Sequence, residues 1–487
     1  MKTLDQVKAG IAIDPSKPGF TTPYNITQPG HYFLTGNIGV TSGDAIDINA
    51  NGVTLDLNGF TLSSMENSPA GTAIAPNGLD ISIRNGHIRG AVTGDGTTYS
   101  GNGFRYGIYS TSDQLGVDVD GVTVSGCLRY GIFIQGTVQS CAVTEVGGQG
   151  IMANVVRGCT AYLCGDTAIT AFGDVSDCAA SSYTLSSSRS VIQGNIVTNC
   201  YAVNGSSVSG SIGITAGSAI NCSVYAVISG IGINASAAKN CSVDMTTGGT
   251  AYSSFQTYNI ANNGQVYENC RAQLDGGGGT GFYITSGSAT NCSVSNSFGQ
   301  RGTGISAFNS VVTNCVVHSM STGMSSNGSS RFENCQVQAS GATGISLASG
   351  DSVNNCTVQG SVGSGIILGN NCVANNCNAS ANLGDGIATI SGCTGSSITN
   401  CTACGNGSGG TFDGIHLVGL ERSNRIDGNN ASNNTGIGIH QEDGPDLIVR
   451  NTARNNTSGT NYSPNHGTSV GPIGTPDTAT SPWANFQ

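Results

Sequence analysis

The residues best suited to chemistry fall in two clusters. Near the N-terminus, Phe104-Arg105-Tyr106-Gly107-Ile108-Tyr109 and Leu128-Arg129-Tyr130-Gly131-Ile132-Phe133 align at an offset of 24 residues. The alignment sets Arg105 above Arg129, Tyr106 above Tyr130 and Tyr109 above Phe133. Arg84, His87 and Arg89 come from the preceding stretch, and Gln149 and Asp166 fall close to the same columns. Stacked like charges gain little for folding and repel unless an anion or a carboxylate lies between them. A guanidinium fork suits carboxylate or sulfate, and aromatic faces suit sugar rings. An exposed rim with stray arginines is the plainer reading. The second cluster is Asp413, His416, Glu421, His440, Glu442 and Asp443, in which Gly414-Ile415-His416 and Gly438-Ile439-His440 also align at 24. Two imidazoles beside carboxylates could transfer protons or bind a metal. A structural or solvated role is the alternative.

A repeat must position both clusters. Thirteen of the eighteen cysteines recur from Cys141 to Cys401, and the 260 residues between these two hold twelve intervals, a mean of 21.7. Asparagine precedes ten of the thirteen, as in Asn221-Cys222-Ser223-Val224 and Asn355-Cys356-Thr357-Val358. A second mark, Gly followed by Ile, Phe or Met, comes before each pair: Gly131-Ile132, Gly213-Ile214, Gly304-Ile305, Gly344-Ile345, Gly365-Ile366. Apolar residues alternate over short runs (Cys-x-Val, Ile-x-Leu), which is the strand period. No helical stripe appears within a repeat. Short strands at fixed spacing predict a solenoid. The fold expected is all-β: a single right-handed parallel β-helix with three short strands and about 22 residues per coil.

The remaining motifs fit this frame. Asn before each Cys suits a turn with unusual backbone angles, and stacked amides can hydrogen-bond in a ladder. The five Asn-Cys-Ser/Thr triplets, at Asn221, Asn240, Asn291, Asn355 and Asn400, then mark one structural slot rather than glycosylation sites. A regular column of cysteines one coil apart reads as buried, unpaired thiols rather than disulfides or zinc ligands. Gly276-x-Gly278-x-x-Gly281 lacks a strand-to-helix unit and reads as a glycine-rich turn.

Composition excludes other classes. The 487 residues carry 17 Lys plus Arg against 28 Asp plus Glu, a net charge of −11, and only 9% are charged. Such a chain is a poor nucleic-acid binder. No apolar run is long enough to span a membrane.

The Cys and Asn ladder with its Gly-Ile marks resembles the bacterial right-handed parallel β-helix repeat proteins of the pectate-lyase-like superfamily. The segments Asn25–Ile38 and Gly52–Phe60 resemble their first coils, and Arg425–Asn429, Ile448–Asn451 and Pro482–Phe486 their last. The resemblance covers nearly the whole chain and implies a secreted or cell-surface protein, although no signal peptide is visible. It implies action on an acidic polysaccharide, most readily as a lyase. In lyases of this architecture the outward column after each Gly-Ile mark lines the saccharide cleft, and calcium is a common cofactor, which the acidic balance permits.

Organisation and function follow. Residues 1–30 form an N-terminal segment in which Leu4 to Ile13 could be a capping helix. Coils run over 31–462, and 463–487 form a capping tail, with Trp483 and Phe486 over the last edge. The outward column reads Tyr109, Phe133, Met152, Thr170, Thr215, Asn234, Tyr283, Ser306, Ser325, Ser346, Ile367, Ala388, His416 and His440. Its middle is small and neutral, and its ends are not. For a lyase, Arg105, Arg129 and Tyr130 would be catalytic. Tyr106, Tyr109, Phe133, Arg84, His87, Arg89 and Asp166 would bind substrate. Asp413, His416, His440 and Glu442 form the alternative site. A glycoside hydrolase would need paired carboxylates, and Asp118 with Asp120 is the nearest pair. A non-catalytic glycan-binding rod needs neither.

Overall fold

The computed structural model describes residues 10–95, 98–110, 116–183, 185–186, 188–206, 208, 210–226, 230–246, 250–253, 264–275, 278–297, 299–420, 423–464 and 469–487. No helix occurs among the described residues. The chain divides into two compact units, Met1–Ala235 and Ser236–Gln487, and each is a parallel β-solenoid.

A typical coil holds three short strands, and most strands pair in parallel with the one three places on. In the first unit Ile132 pairs with Ile151, Val138 with Val156 and Val143 with Ala161. In the second, Phe282 pairs with Ile305, Ala289 with Val312 and Val294 with Val317. The first ladder starts at the Gly-Ile mark, and the third starts at the recurring cysteine. An antiparallel arm, Ala91–Gly94 with Tyr99–Asn102, interrupts the N-terminal coils.

Alternation builds the core. Ile305, Met324, Ile345 and Ile366 lie in consecutive register, and all four are fully buried. Each such side chain contributes about 1.5–3 kcal/mol on leaving water. The mark requires glycine because the coils approach closely there: a Cβ on Gly344 would sit 2.1 Å from Val358 Cγ1 and 2.6 Å from Gly365 O.

The asparagine slot is a backbone device. Asn221, Asn291 and Asn355 have φ of 53°, 55° and 53°, a left-handed turn that asparagine tolerates. Their amides form an outer ladder, with Asn221 donating to Asn199 at 3.1 Å and Asn291 to Asn269 at 3.2 Å. The cysteines behind them point inward. No disulfide joins any of the eighteen, and every one but Cys404 is buried. In the recurring column each thiol donates to a carbonyl two residues back, as Cys335 does to Glu333 O at 3.2 Å, while the Cys335 N–H donates to Cys356 Sγ at 3.3 Å. Burial pushes the Cys127 and Cys164 thiols up to about 12, so they are chemically inert at neutral pH.

After Cys401 the inward slot changes to asparagine. Cys401 N–H donates to Asn429 Oδ1 at 2.8 Å, Asn429 Nδ2 to Asn451 Oδ1 at 3.0 Å, and Asn451 Nδ2 to Asn485 Oδ1 at 3.1 Å. A second inner ladder joins Asn382, Asn406, Asn434 and Asn456.

The ends differ from expectation. Ile11–Ile13 is a strand paired with Tyr32–Leu34, not the end of a helix; residues 4–9 lie outside the described set. Trp483 does not seal the last coil, being 53% exposed and lying beside the Arg450 guanidinium at 5.5 Å. The fully buried Asn485 closes it by continuing the amide ladder.

Candidate functional site

The first ladder of the first unit gives the N-terminal cluster its shape. Register runs Tyr109, Phe133, Met152, Thr170, Gln193, Thr215 along one outward column. Gln193 belongs in this column although its coil carries Ile192 without a preceding glycine. Tyr106 and Tyr130 fill the neighbouring column, and the four rings form one continuous stack. Centroids lie 4.2 Å apart for Tyr106 and Tyr109, 5.7 Å for Tyr106 and Tyr130, 5.1 Å for Tyr109 and Phe133, and 5.5 Å for Tyr130 and Phe133. All four rings are half-buried, so part of the stack stays open to solvent as an apolar platform. The Arg105 guanidinium lies over Tyr106 at 5.2 Å, a cation–π contact. Arg129 is exposed one coil on, its N–H bonded to Arg105 O at 2.8 Å. Among the described residues neither arginine forms an ion pair.

The charged neighbours sort differently. Burial, with the adjacent tyrosines, pushes the Tyr109 phenol above its ordinary range, so it stays protonated at neutral pH. Asp166 lies two coils beyond Arg129 on the same turn, but its carboxylate faces Arg189 at 3.9 Å. Arg84 sits on the second ladder, paired with Asp56 at 3.1 Å. His87 and Arg89 sit on the third, in a groove of about 780 Å³ with Thr61, Ser63, Ser125 and Thr144; His87 Nδ1 is 2.5 Å from Thr123 Oγ1. These three residues are therefore not part of the platform. Asp118 and Asp120 also lie on the second ladder, and Asp118 caps the Thr137 N–H at 3.1 Å.

Asp47 was not anticipated. It pairs with Ala75 on the first ladder, and Ile74 pairs with Ile108, which places Ala75 beside Tyr109. Burial and the Asp44 charge push the Asp47 carboxyl up, and its Oδ1 is buried without a hydrogen-bond partner. Asp44-Ala45-Ile46-Asp47 matches the Gly-Ile register with Ala for Gly, and that match is the signal that could have found it.

The second cluster is tighter. His416 and His440 pair across the first ladder of the second unit, and their rings stack at 4.7 Å and 5°. His440 Nδ1 is 2.7 Å from Asp413 Oδ2. His416 Nδ1 is 3.2 Å from Asp385 Oδ2 and 3.8 Å from Asp413 Oδ2, and its Nε2 is 3.1 Å from Glu442 Oε1. Burial works against a charged His416, but the Asp385 hydrogen bond and charge, with Asp413 and Glu442, outweigh it and hold the ring at about 9. The Gly419 N–H and then His416 hold the Glu442 carboxyl below its usual range. Asp385 was missed, although Asp385-Gly386-Ile387 repeats Asp413-Gly414-Ile415 at an offset of 28. Asp443 instead caps the Gly444 N–H. Glu421 lies outside the described residues.

Calcium takes six to eight oxygens. The one metal-capable side-chain group found among the described residues, Asp413 with His416 and His440, mixes nitrogen with oxygen and does not suit it.

No family model matches the sequence, and no curated protein matches it. Among solved structures, the A-module of the mannuronan C-5 epimerase AlgE6 of Azotobacter vinelandii aligns over 94% of this chain and 90% of its own, at 10% identity and a TM-score of 0.14. A superposition that loose carries no information on substrate or mechanism.

Proposed function

We propose that this chain is a carbohydrate-active protein that holds an anionic polysaccharide on the platform of Tyr106, Tyr109, Tyr130 and Phe133. One observation carries the reading: four contiguous rings with the Arg105 guanidinium over one of them and the exposed Arg129 one coil on, neither arginine in an ion pair among the described residues. The open part of the stack offers aromatic carbon to pyranose C–H groups. Arg105 and Arg129 offer bidentate donors to a uronate carboxylate or a sulfate. The hydrolase reading has less support, since Asp118 and Asp120 belong to another ladder.

The lyase form of this proposal is a β-elimination. Arg105 would neutralise the uronate carboxylate, which acidifies the C5 proton. Arg129 or Tyr130, as the base of this form, would take that proton, the C4–O4 bond would break, and a C4=C5 double bond would form. Asp47, its carboxyl pushed up beside the same column, suits protonation of the leaving oxygen. A non-catalytic glycan-binding role is the second reading, favoured by the small, neutral middle of the outward column. Incubation with a panel of uronate polysaccharides separates the two. Ultraviolet absorbance from unsaturated ends supports elimination; saturable binding without that absorbance supports the binding role. Absence of both for every anionic glycan ends the proposal.

A further inference from the structure

We propose that Asp413, His416 and His440 form a binding site for one divalent transition-metal ion of the zinc class on the outward face of the second unit. The site is separate from the platform and does not depend on the reading given for it. The donor atoms Asp413 Oδ2, His416 Nδ1 and His440 Nδ1 all lie within 4.8 Å of one another. A tetrahedral ion bonded at about 2.0–2.2 Å sets its donors roughly 3.3–3.6 Å apart. The distances from Asp413 Oδ2, 2.7 Å to His440 and 3.8 Å to His416, bracket that value. The two rings stack nearly parallel at 4.7 Å and 5°, so binding an ion would require them to rotate until both Nδ1 atoms face it.

The surrounding bonds aim these atoms. Asp413 has one oxygen pinned by the Ile437 N–H at 2.6 Å, which leaves the other facing the rings. Asp385 repeats the arrangement one coil earlier: its Oδ1 accepts from Asp413 N–H at 2.6 Å, and its Oδ2 faces His416. Glu442 takes the Nε2 side of His416 and is itself fixed by the Gly419 N–H at 2.7 Å. His416 thus has a carboxylate on each ring nitrogen; an ion taking Nδ1 would replace the Asp385 contact and leave the proton on Nε2 against Glu442, as metal-bound histidines require. Three carboxylates surround the two imidazoles, an excess of negative charge that a dication offsets. Imidazole with carboxylate selects zinc, cobalt or nickel over calcium. The column neighbours of the histidine pair are Ala388 and Ser463. Both are small, so a fourth position stays open to water or to a substrate oxygen.

The test is titration of the chelator-stripped full chain with Co2+ followed by visible absorption, with Zn2+ as competitor. One equivalent should bind with a tetrahedral ligand-field band, no thiolate charge-transfer band, and displacement by Zn2+. His416→Gln with His440→Gln should abolish the band. Asp413→Asn, which keeps the acceptor for Ile437 N–H, should abolish it too. Glu442→Gln should weaken binding by about 10–100-fold. Should a variant misfold by circular dichroism, histidine ring resonances of the unmutated chain decide instead: Zn2+ should shift two of the six. Absence of saturable binding, a thiolate band that survives in the variants, or six unmoved histidines would overturn the site.

Discussion

Replacing Arg129 by alanine separates ligand binding from folding. The side chain is exposed and no ion pair to it is found among the described residues. Exposed charges contribute about 0–1 kcal/mol to stability, so the thermal midpoint of Arg129→Ala should match the parent. Binding behaves differently. A charged hydrogen bond that is partly desolvated contributes about 1.5–3 kcal/mol, which corresponds to roughly 10–150-fold in Kd. Arg129 adjoins the half-buried Tyr130 in the chain, so a ligand seated on the rings would cover it and supply that desolvation. Calorimetric titration with an oligouronate should therefore show a 10–150-fold weaker Kd at an unchanged melting temperature, with the loss shrinking as salt rises. A neutral oligosaccharide should bind both forms alike. The reasoning fails if Arg129→Ala binds the oligouronate as the parent does. It also fails if His416→Ala or His440→Ala alone abolishes activity on the polymer, which would move the carbohydrate site to the second unit.

Other outcomes follow from the same structure. Ile345→Ala should cost about 2–5 kcal/mol and lower the thermal midpoint; no change would mean that the register is wrong by one residue. Asn434→Ala removes the partners of the Asn406 N–H and the Ala403 carbonyl, both inside the coil. At about 1–3 kcal/mol for each orphaned group, denaturation curves should show a loss of about 2–6 kcal/mol. Asn291→Gly should stay within ~1 kcal/mol, since glycine adopts the same left-handed turn. In the chelated protein the His416 pKa is raised above the ordinary 6.5 to about 9. Its contribution to stability is then complete below about pH 6.5 and lost as the pH rises through about 9. The gap in thermal midpoint between parent and His416→Gln should close over that window, and a gap that widens with pH contradicts the assignment.

Some of this was legible in the sequence because each coil advertises its own register. The Gly-Ile marks placed Tyr109, Phe133, Tyr283, Ser306, His416 and His440 in the column the ladder gives them. They did so because a close approach of coils favours glycine before the inward isoleucine. Where the mark fails, so does the reading: Gln193 follows Ile192 without a glycine and escaped notice. Arg84, His87 and Arg89 were joined to the platform because linear distance says nothing about which side of a coil a residue occupies. The coil from Thr72 to Tyr106 carries an extra arm, and those three residues belong to its other two ladders. The amide ladder from Asn429 to Asn485 was hidden for another reason. A buried asparagine and a surface turn asparagine look identical in sequence, and only the facing coil distinguishes them.

The change from thiol to amide at Cys401 sets different rules of opening within the second unit. Stacked coils interact chiefly with their neighbours, so such a protein opens as a one-dimensional zipper rather than as a globule. Where the slot holds cysteine, adjacent coils meet through soft, weakly directional sulfur contacts, and one coil can breathe without stranding strong donors. Where it holds asparagine, each amide spans the gap to the next with paired bonds, as Asn429 and Asn451 do. Opening one of these coils strands several buried donors and acceptors together. Amide hydrogen exchange should therefore be graded through the cysteine coils and nearly all-or-none through the asparagine coils. The histidine pair rides on the latter, the stretch of this unit least able to fluctuate, and a site that depends on tenths of an ångström is well served by that footing.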